Sequence, residues 1–289
     1  MPELPEVEVV KKSLIGKTQN LIIKAVKIKD RRLRYKIDEI QIKKIIGLKL
    51  KKISRRSKYL LFFFSKNLVM LVHLGMTGKF FYVDEKNSKY KTSFYYEINE
   101  DKDKKHDHII FYLQNNKKLI YNDVRKFGFI KLLYKHELDQ NSHLKNLGPE
   151  PLKKEFNFSY FKKFIFGRNR IIKDILMDQK FVSGLGNIYV NEILFFSGVK
   201  PTKKVHYLSD LEIKKIIKFT KKILTKAISL GGSSIKDFSS SSGKKGLFQQ
   251  HFKVYGRNGE NCKNNKCKGN ISKIVLGNRA SFLCVKCQK

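Results

Sequence analysis

Apolar and polar positions alternate in two different rhythms along this chain. Near its start Val7, Val10 and Leu14 recur at helical spacing, Pro5 suits a first turn and Gly16 a stop, so the pattern predicts a helix over 5–15. From 21 to about 134 the apolar residues crowd into short segments rich in Ile, Val, Phe and Tyr: 21–29, 48–54, 59–64, 68–73, 79–83, 92–98, 109–113, 118–121 and 127–133. Turn signals such as Ser65-Lys66-Asn67 and Asn115-Asn116 separate them. Short strands in this number predict an all-β domain built as a sandwich. The polar, charged stretch 84–105 interrupts the pattern and reads as a mobile excursion, with 92–98 strand-like inside it.

The helical rhythm returns after Gly148-Pro149-Glu150-Pro151, the best candidate boundary. Helices are predicted over 171–178, 187–196 and 208–229, the last opened by Ser209-Asp210-Leu211-Glu212 in a capping-box arrangement. Phe181-Val182-Ser183-Gly184-Leu185-Gly186 is a glycine-bearing turn leading into the middle helix, and 231–246 is a low-complexity Gly and Ser loop. No internal repeat is visible. The expected fold class is α+β and multidomain: a β-sandwich with a flanking helix over 1–147, a helical domain over 148–245 and a cysteine module over 246–289.

Composition narrows the partner more than the fold. Apolar residues at 41% and aromatics at 12% exclude a disordered chain despite its charge. The 62 basic and 25 acidic residues leave +37 spread along the sequence, which calls for a polyanionic partner. AT-rich coding accounts for part of that excess, since only ten of the basic residues are Arg. No apolar run reaches the roughly 18 to 20 residues that span a bilayer. No basic start followed by an apolar stretch marks a secretory signal, so a soluble, cytoplasmic protein is expected.

Four cysteines carry the strongest chemical signal, in the pattern Cys262-x4-Cys267-x16-Cys284-x2-Cys287. Two close pairs separated by a hairpin-length insert can close one tetrahedral zinc site, and a full thiolate set leaves no open position for a reactive water. The zinc expected here is structural. Gly184-Leu185-Gly186-Asn187, opening a helix, suits a phosphate docked on helical amides with Asn187 as an added donor, although a plain interhelical connector would read the same. Arg279, between the cysteine pairs, would be projected by a zinc hairpin. His73, Met76, Arg125 and Phe127 are ambiguous by themselves, since a His closing a strand is usually structural and a Met or Phe near strands is usually core. His106-Asp107-His108 is a poor metal pair, because alternating strand residues face opposite ways.

Taken in order, PELPEVE at the start, Arg55-Arg56-Ser57-Lys58-Tyr59-Leu60, His73-Leu74-Gly75-Met76-Thr77-Gly78, Asp123-Val124-Arg125-Lys126-Phe127-Gly128, Leu147-Gly148-Pro149-Glu150-Pro151-Leu152, Gly184-Leu185-Gly186-Asn187-Ile188-Tyr189 and Cys284-x2-Cys287-Gln288 resemble the formamidopyrimidine-DNA glycosylase family nearly end to end. PELPE is similar to the oxidised-purine branch more than to the endonuclease VIII branch, which starts PEGPE. The resemblance implies a base-excision repair glycosylase and AP lyase acting as a monomer on damaged double-stranded DNA. It also implies a helix-two-turn-helix domain over 148–245, a zinc finger over 246–289, and DNA in the cleft between domains.

That resemblance gives the acidic start, MPELPEVEVV, a chemical meaning. Loss of Met1 would leave Pro2 as a secondary amine whose pKa near 8 keeps an appreciable neutral, nucleophilic fraction at neutral pH. Carboxylates at a helix N-terminus stabilise it by about 0.3 to 1 kcal/mol each, which accounts for Glu6 and Glu8 but not for a proline in second place. The family implies Glu3 as the proton donor and acceptor, with Glu6 supporting and Lys58 beside them. It implies Phe127 as an apolar wedge, Met76 filling the void left by an extruded base and Arg125 pairing with the orphaned partner. Lys58, His73, Asn187 and Arg279 match positions that hold phosphates around the lesion. The chain departs from the pattern in the long 84–105 stretch and in Leu283, where an aromatic is common. The rival readings are an oxidised-pyrimidine glycosylase of the endonuclease VIII branch and a noncatalytic zinc-containing protein that binds damaged DNA.

Overall fold

The computed structural model describes residues 1–84, 89–91, 104–233 and 247–289, with backbone only at 89–91. The expected strand 92–98, most of the 84–105 excursion and the greater part of the 231–246 loop lie outside the described residues. The chain forms two compact units, 1–145 with 231–247, and 146–230 with 248–289.

The first unit opens with helix α1 (Leu4–Thr18). It runs past the expected stop at Gly16, because Asn20, at φ 70°, takes the left-handed exit instead, and the Thr18 hydroxyl bonds back to Leu14 O. Strands follow: β1 (Ile23–Ile28), β2 (Leu50–Arg56), β3 (Tyr59–Phe64), β4 (Leu68–His73), β5 (Lys79–Val83), β6 (Lys89–Lys91), β7 (Asp107–Leu113), β8 (Lys118–Asn122) and β9 (Phe129–Tyr134). A short helix α2 (Glu39–Lys43), not visible in the apolar rhythm, lies between β1 and β2. All pairings are antiparallel, in one sheet of order β1-β7-β8-β5-β6 and another of order β2-β3-β4-β9.

The period-2 logic of strands places Leu60, Phe62 and Phe64 of β3 with Phe80, Phe111 and Tyr121 in one core that also takes in Val7, Val10 and Leu14. Phe62 and Phe80, one from each sheet, meet at 5.6 Å between centroids. The alternate residues Leu61, Val69 and Leu71 pack with Phe129 in a second cluster under Leu138 and Leu144. Burial on both faces explains why β3 and β4 read as unbroken apolar runs. Each such side chain contributes about 1.5 to 3 kcal/mol.

In the second unit α3 (Phe158–Ile165), α4 (Ile172–Met177), α5 (Asn187–Ser197) and α6 (Asp210–Ser229) precede a hairpin of β10 (Ile271–Leu276) and β11 (Arg279–Cys284). The Asn157 side chain caps α3, a helix missing from the sequence reading. The Ser209–Glu212 capping box starts α6 as expected. The buried Glu192 carboxylate accepts three backbone N–H groups, from Lys253, Val254 and Tyr255, at 2.8 to 3.0 Å, and so fastens α5 to the cysteine segment. Among the described residues no helix is long and apolar enough to cross a membrane.

Candidate active site and nucleic-acid interface

The start of α1 is organised by carboxylates. Glu3 takes an extended cap conformation, and its N–H donates to Glu6 Oε2 at 2.9 Å. The other Glu6 oxygen accepts the N–H and hydroxyl of Ser233 at 2.9 and 3.0 Å. One buried carboxylate therefore clasps residue 3 and a residue 227 positions away. Pro2 and Glu3 are buried beside it, and Met1 is half-exposed. Burial draws the terminal amine below its ordinary pKa; Glu3 opposes this, Lys58 reinforces it, and Glu6 and Arg125 act in the same opposed senses. The chain's amino end thus sits among two acids and two bases.

Lys58 reaches this place from the β2–β3 turn, where Ser57 takes φ 54° and Lys58 is nearly buried. Arg55 braces the turn, donating to Ser57 O and to Glu8 Oε2, each at 2.8 Å. Burial alone would raise the Glu8 pKa, but the hydrogen bonds from Lys11 and Arg55 hold it below its usual value. Glu8 therefore ties α1 to β2, a role beyond the helix dipole.

Two loops of the same unit present Met76, Arg125 and Phe127. Phe127 is 47% and Met76 37% exposed, unusual for side chains of their kind, and the Arg125 guanidinium lies 4.8 Å from the Phe127 ring centroid. The loops touch backbone to backbone: a Cβ at Gly75 would collide with Phe127 and Gly128 main-chain atoms, so only glycine fits there. Thr77 Oγ1 donates to the buried Asp123 carboxylate and accepts Arg125 N–H at 2.9 Å. Asp123 also takes Gly128 N–H at 2.8 Å.

His73 closes β4 with little exposure and stacks on Phe129 at 5.6 Å. Its Nδ1 accepts Gly75 N–H at 3.0 Å, which leaves Nε2 to carry the proton. Burial first, then Lys58 and Arg34, push its pKa down to about 4. At neutral pH this side chain is a neutral N–H donor.

In the second unit the Gly184-Leu185 turn is clamped by Gln179, which accepts Gly184 N–H and donates to Leu185 O. Asn187 begins α5, and its amide donates to Ala280 O at 2.9 Å, the residue after Arg279. The buried Lys173 donates to the same carbonyl at 3.2 Å and to the Ser281 hydroxyl. Burial, with Arg279 adding, lowers the Lys173 pKa to about 8. The helix start and the exposed Arg279 at the hairpin tip are therefore held side by side.

The four cysteine sulfurs lie within 4.8 Å of one another, with Cys262–Cys287 at 3.7 Å and Cys267–Cys284 at 3.6 Å. A metal about 2.3 Å from each of four thiolates sets tetrahedral edges of about 3.8 Å, so the donors fit one such ion. Asn264 Nδ2 and Gly269 N–H donate to Cys287 and Cys267 at 3.4 and 3.3 Å, contacts that suit sulfur carrying negative charge.

A family model for the formamidopyrimidine-DNA glycosylase N-terminal domain matches residues 1–130, and one for that enzyme's H2TH domain matches 147–239. A Rickettsia bellii formamidopyrimidine-DNA glycosylase is 40% identical and a Roseobacter denitrificans one 36%, each over 289 residues and the whole of both chains. This chain belongs to the formamidopyrimidine-DNA glycosylase family. The fold of a Lactococcus lactis FPG mutant, solved with DNA containing Fapy-dG, superposes with a TM-score of 0.85 at 32% identity over all of both chains. The L. lactis Fpg complex with abasic-site DNA gives 0.84, covering 99% of each.

Glu3, Glu6 and Lys58, expected together from distant parts of the sequence, all contribute electrostatically at the amino terminus, and so does Arg125, which was expected at the orphaned partner base. Asn187 and Arg279, both expected at phosphates, lie on neighbouring elements through the Asn187 bond to Ala280 O. The sequence reading missed Gln179, Lys173 and Ser233. Only Ser233 lay in a motif already singled out, the Gly-Gly-Ser-Ser stretch at the head of the low-complexity loop.

Proposed function

We propose that this chain excises oxidised purines, 8-oxoguanine and formamidopyrimidines, from double-stranded DNA and then cuts the strand at the resulting abasic site. The observation that carries this reading is Pro2 and Glu3 buried at the start of α1, where the Glu6 carboxylate fixes the backbone of residue 3. Once Met1 is removed, the Pro2 nitrogen becomes a secondary amine and attacks C1′ of the damaged nucleotide. The C1′–N bond to the base breaks, the base leaves with its electron pair and takes up a proton, and the amine loses its own proton; the nitrogen lone pair then opens the C1′–O4′ bond, O4′ takes up a proton, and the iminium forms. Glu3, buried at the helix start, is assigned to move these protons. The cationic iminium acidifies the 2′ hydrogen, and its removal expels the 3′ phosphate; repetition at the other side expels the 5′ phosphate.

Glu6 supports the reaction by fixing the backbone of residue 3 relative to Ser233. Lys58, His73, Asn187 and Arg279 are assigned to phosphates, which set register without reading sequence. His73 then contributes a neutral N–H rather than a charge. Met76, Arg125 and Phe127 are assigned to the gap left by the extruded base, where apolar insertion offsets an unstacking cost of a few kcal/mol. Cys262, Cys267, Cys284 and Cys287 would hold one zinc ion, which when bound supplies structure to the hairpin bearing Arg279. The division of labour follows 1–147 for chemistry, 148–245 for the helix-two-turn-helix and 246–289 for the zinc finger, in a cytoplasmic monomer.

A panel of duplexes carrying 8-oxoguanine, formamidopyrimidine or thymine glycol tests the substrate class. Excision of both purine lesions ahead of thymine glycol is expected. Preference for thymine glycol would move the chain to oxidised pyrimidines, and binding without excision would remove the enzyme reading.

A further inference from the structure

His108 and Asp30 have no place in the chemistry above, yet both grip the loop that carries Arg125 and Phe127. His108 is 1% exposed. Its Nδ1 faces Asp30 O at 3.1 Å and its Nε2 faces Asp123 O at 3.0 Å, so whichever nitrogen bears the proton donates to one of the two segments. The His108 carbonyl in turn accepts Lys29 N–H at 2.8 Å. The ring thus lies packed between the 29–30 segment and the first residue of the 123–128 loop, with its N–H bonded to one of the two carbonyls.

Asp30 completes the link from outside. One carboxylate oxygen accepts the Arg32 N–H and Nε, and the other accepts Arg32 Nη2 and Lys126 Nζ, the latter at 2.9 Å. These bonds, led by Arg32, hold its pKa well below the usual carboxylate range. Lys126 takes φ 58°, a conformation that a non-glycine residue keeps only when its surroundings impose it. It stands directly before Phe127, so a tether on Lys126 sets the angle at which the next side chain leaves the backbone. The 30–34 segment closes the far end as well, with Arg34 N–H donating to Gly128 O at 3.0 Å. The loop is fixed at 123, 126 and 128 while Phe127 stays 47% exposed.

We propose that His108 and Asp30 are positioning residues that aim the Phe127 wedge, acting on opening of the base stack and not on chemistry at C1′. The inference rests on the assignment of Phe127 as the wedge. Its consequence is selective: a stacked, paired lesion needs the wedge most, and a preformed abasic site has no base to expel.

The experiment uses full-length, Met1-processed protein under single-turnover conditions, with 8-oxoguanine in a paired duplex and a preformed abasic site in the same duplex. A 2-aminopurine next to the lesion reports unstacking by fluorescence. The variants are His108→Phe, which keeps a ring in the buried site, Asp30→Ala at the more exposed tether, and Phe127→Ala as reference. Each should slow excision of the paired lesion on the order of tenfold and delay the 2-aminopurine rise equally, while abasic-site cleavage by His108→Phe and Asp30→Ala stays within about twofold. Asp30→Ala guards against misfolding of His108→Phe. If Phe127→Ala slows paired-lesion excision and neither His108→Phe nor Asp30→Ala does, or if these two slow both substrates in parallel, the positioning role is overturned. If Phe127→Ala leaves paired-lesion excision and the 2-aminopurine rise unchanged, the wedge assignment fails and takes the proposal with it.

Discussion

The start of α1 and the cysteine module hold the residues proposed for chemistry and for DNA contact by opposite means. At the start of α1, Leu4, Val7, Val10 and Leu14 are fully or almost fully buried, and a clasp of hydrogen bonds on Glu6 adds direction to a position that apolar packing already fixes. Around Arg279 there is far less to pack: the cluster with Cys262 and Cys284 holds six buried residues, two of them the cysteines themselves. The hairpin leans on Lys173 and Asn187 on one side and on four sulfurs on the other, while Glu192 holds the 253–255 segment that precedes it. Where the core is large, apolar packing fixes the chain; where it is small, four sulfurs that fit one metal ion take that part.

The largest expected effect follows from breaking the second arrangement. Chelation with a strong thiol-competing ligand, or Cys284→Ser, should remove on the order of 10 kcal/mol of metal-linked folding free energy from the 262–287 segment. Hydrogen exchange at β10 and β11 should rise steeply, while amides of β3 and β4 stay protected. Metal analysis of the untreated protein should return one ion per chain, and equal exchange in both regions after chelation would erase the contrast.

A smaller effect sharpens the first arrangement. His73 has a pKa near 4 in the folded chain against an ordinary value of 6.5, so the fold prefers its neutral form. That preference is fully present above pH 6.5 and is lost as pH falls through 4, a change of about 3 kcal/mol. Urea midpoints at pH 7 and pH 4 should therefore converge between the protein and His73→Gln, because the variant has no imidazole to charge. A constant difference between the two would show that His73 protonates without cost.

Short apolar runs bounded by turn residues made β3, β4, β5 and the two-sheet sandwich legible, and the cysteine spacing made the cysteine cluster legible. Gly16 misled because glycine in a helix costs only about 1 kcal/mol, less than the burial that carries α1 onward to Thr18. Helix α3 was readable from Asn157 as cap with Phe161 and Ile165 buried below it, but the lysines around it masked the stripe. No local signal pairs Glu6 with Ser233 or His108 with both Asp30 and Asp123. Such contacts are made by topology, between residues that sequence order keeps far apart.

The central claim is that the Pro2 nitrogen is the nucleophile, and borohydride reduction during turnover on 8-oxoguanine duplex tests it most directly. Mass spectrometry of the trapped, Met1-processed protein should place the sugar adduct on Pro2, and Pro2→Gly should lose most excision and strand cleavage while still binding the duplex. An adduct on a lysine, or full turnover with Met1 retained, would contradict the account.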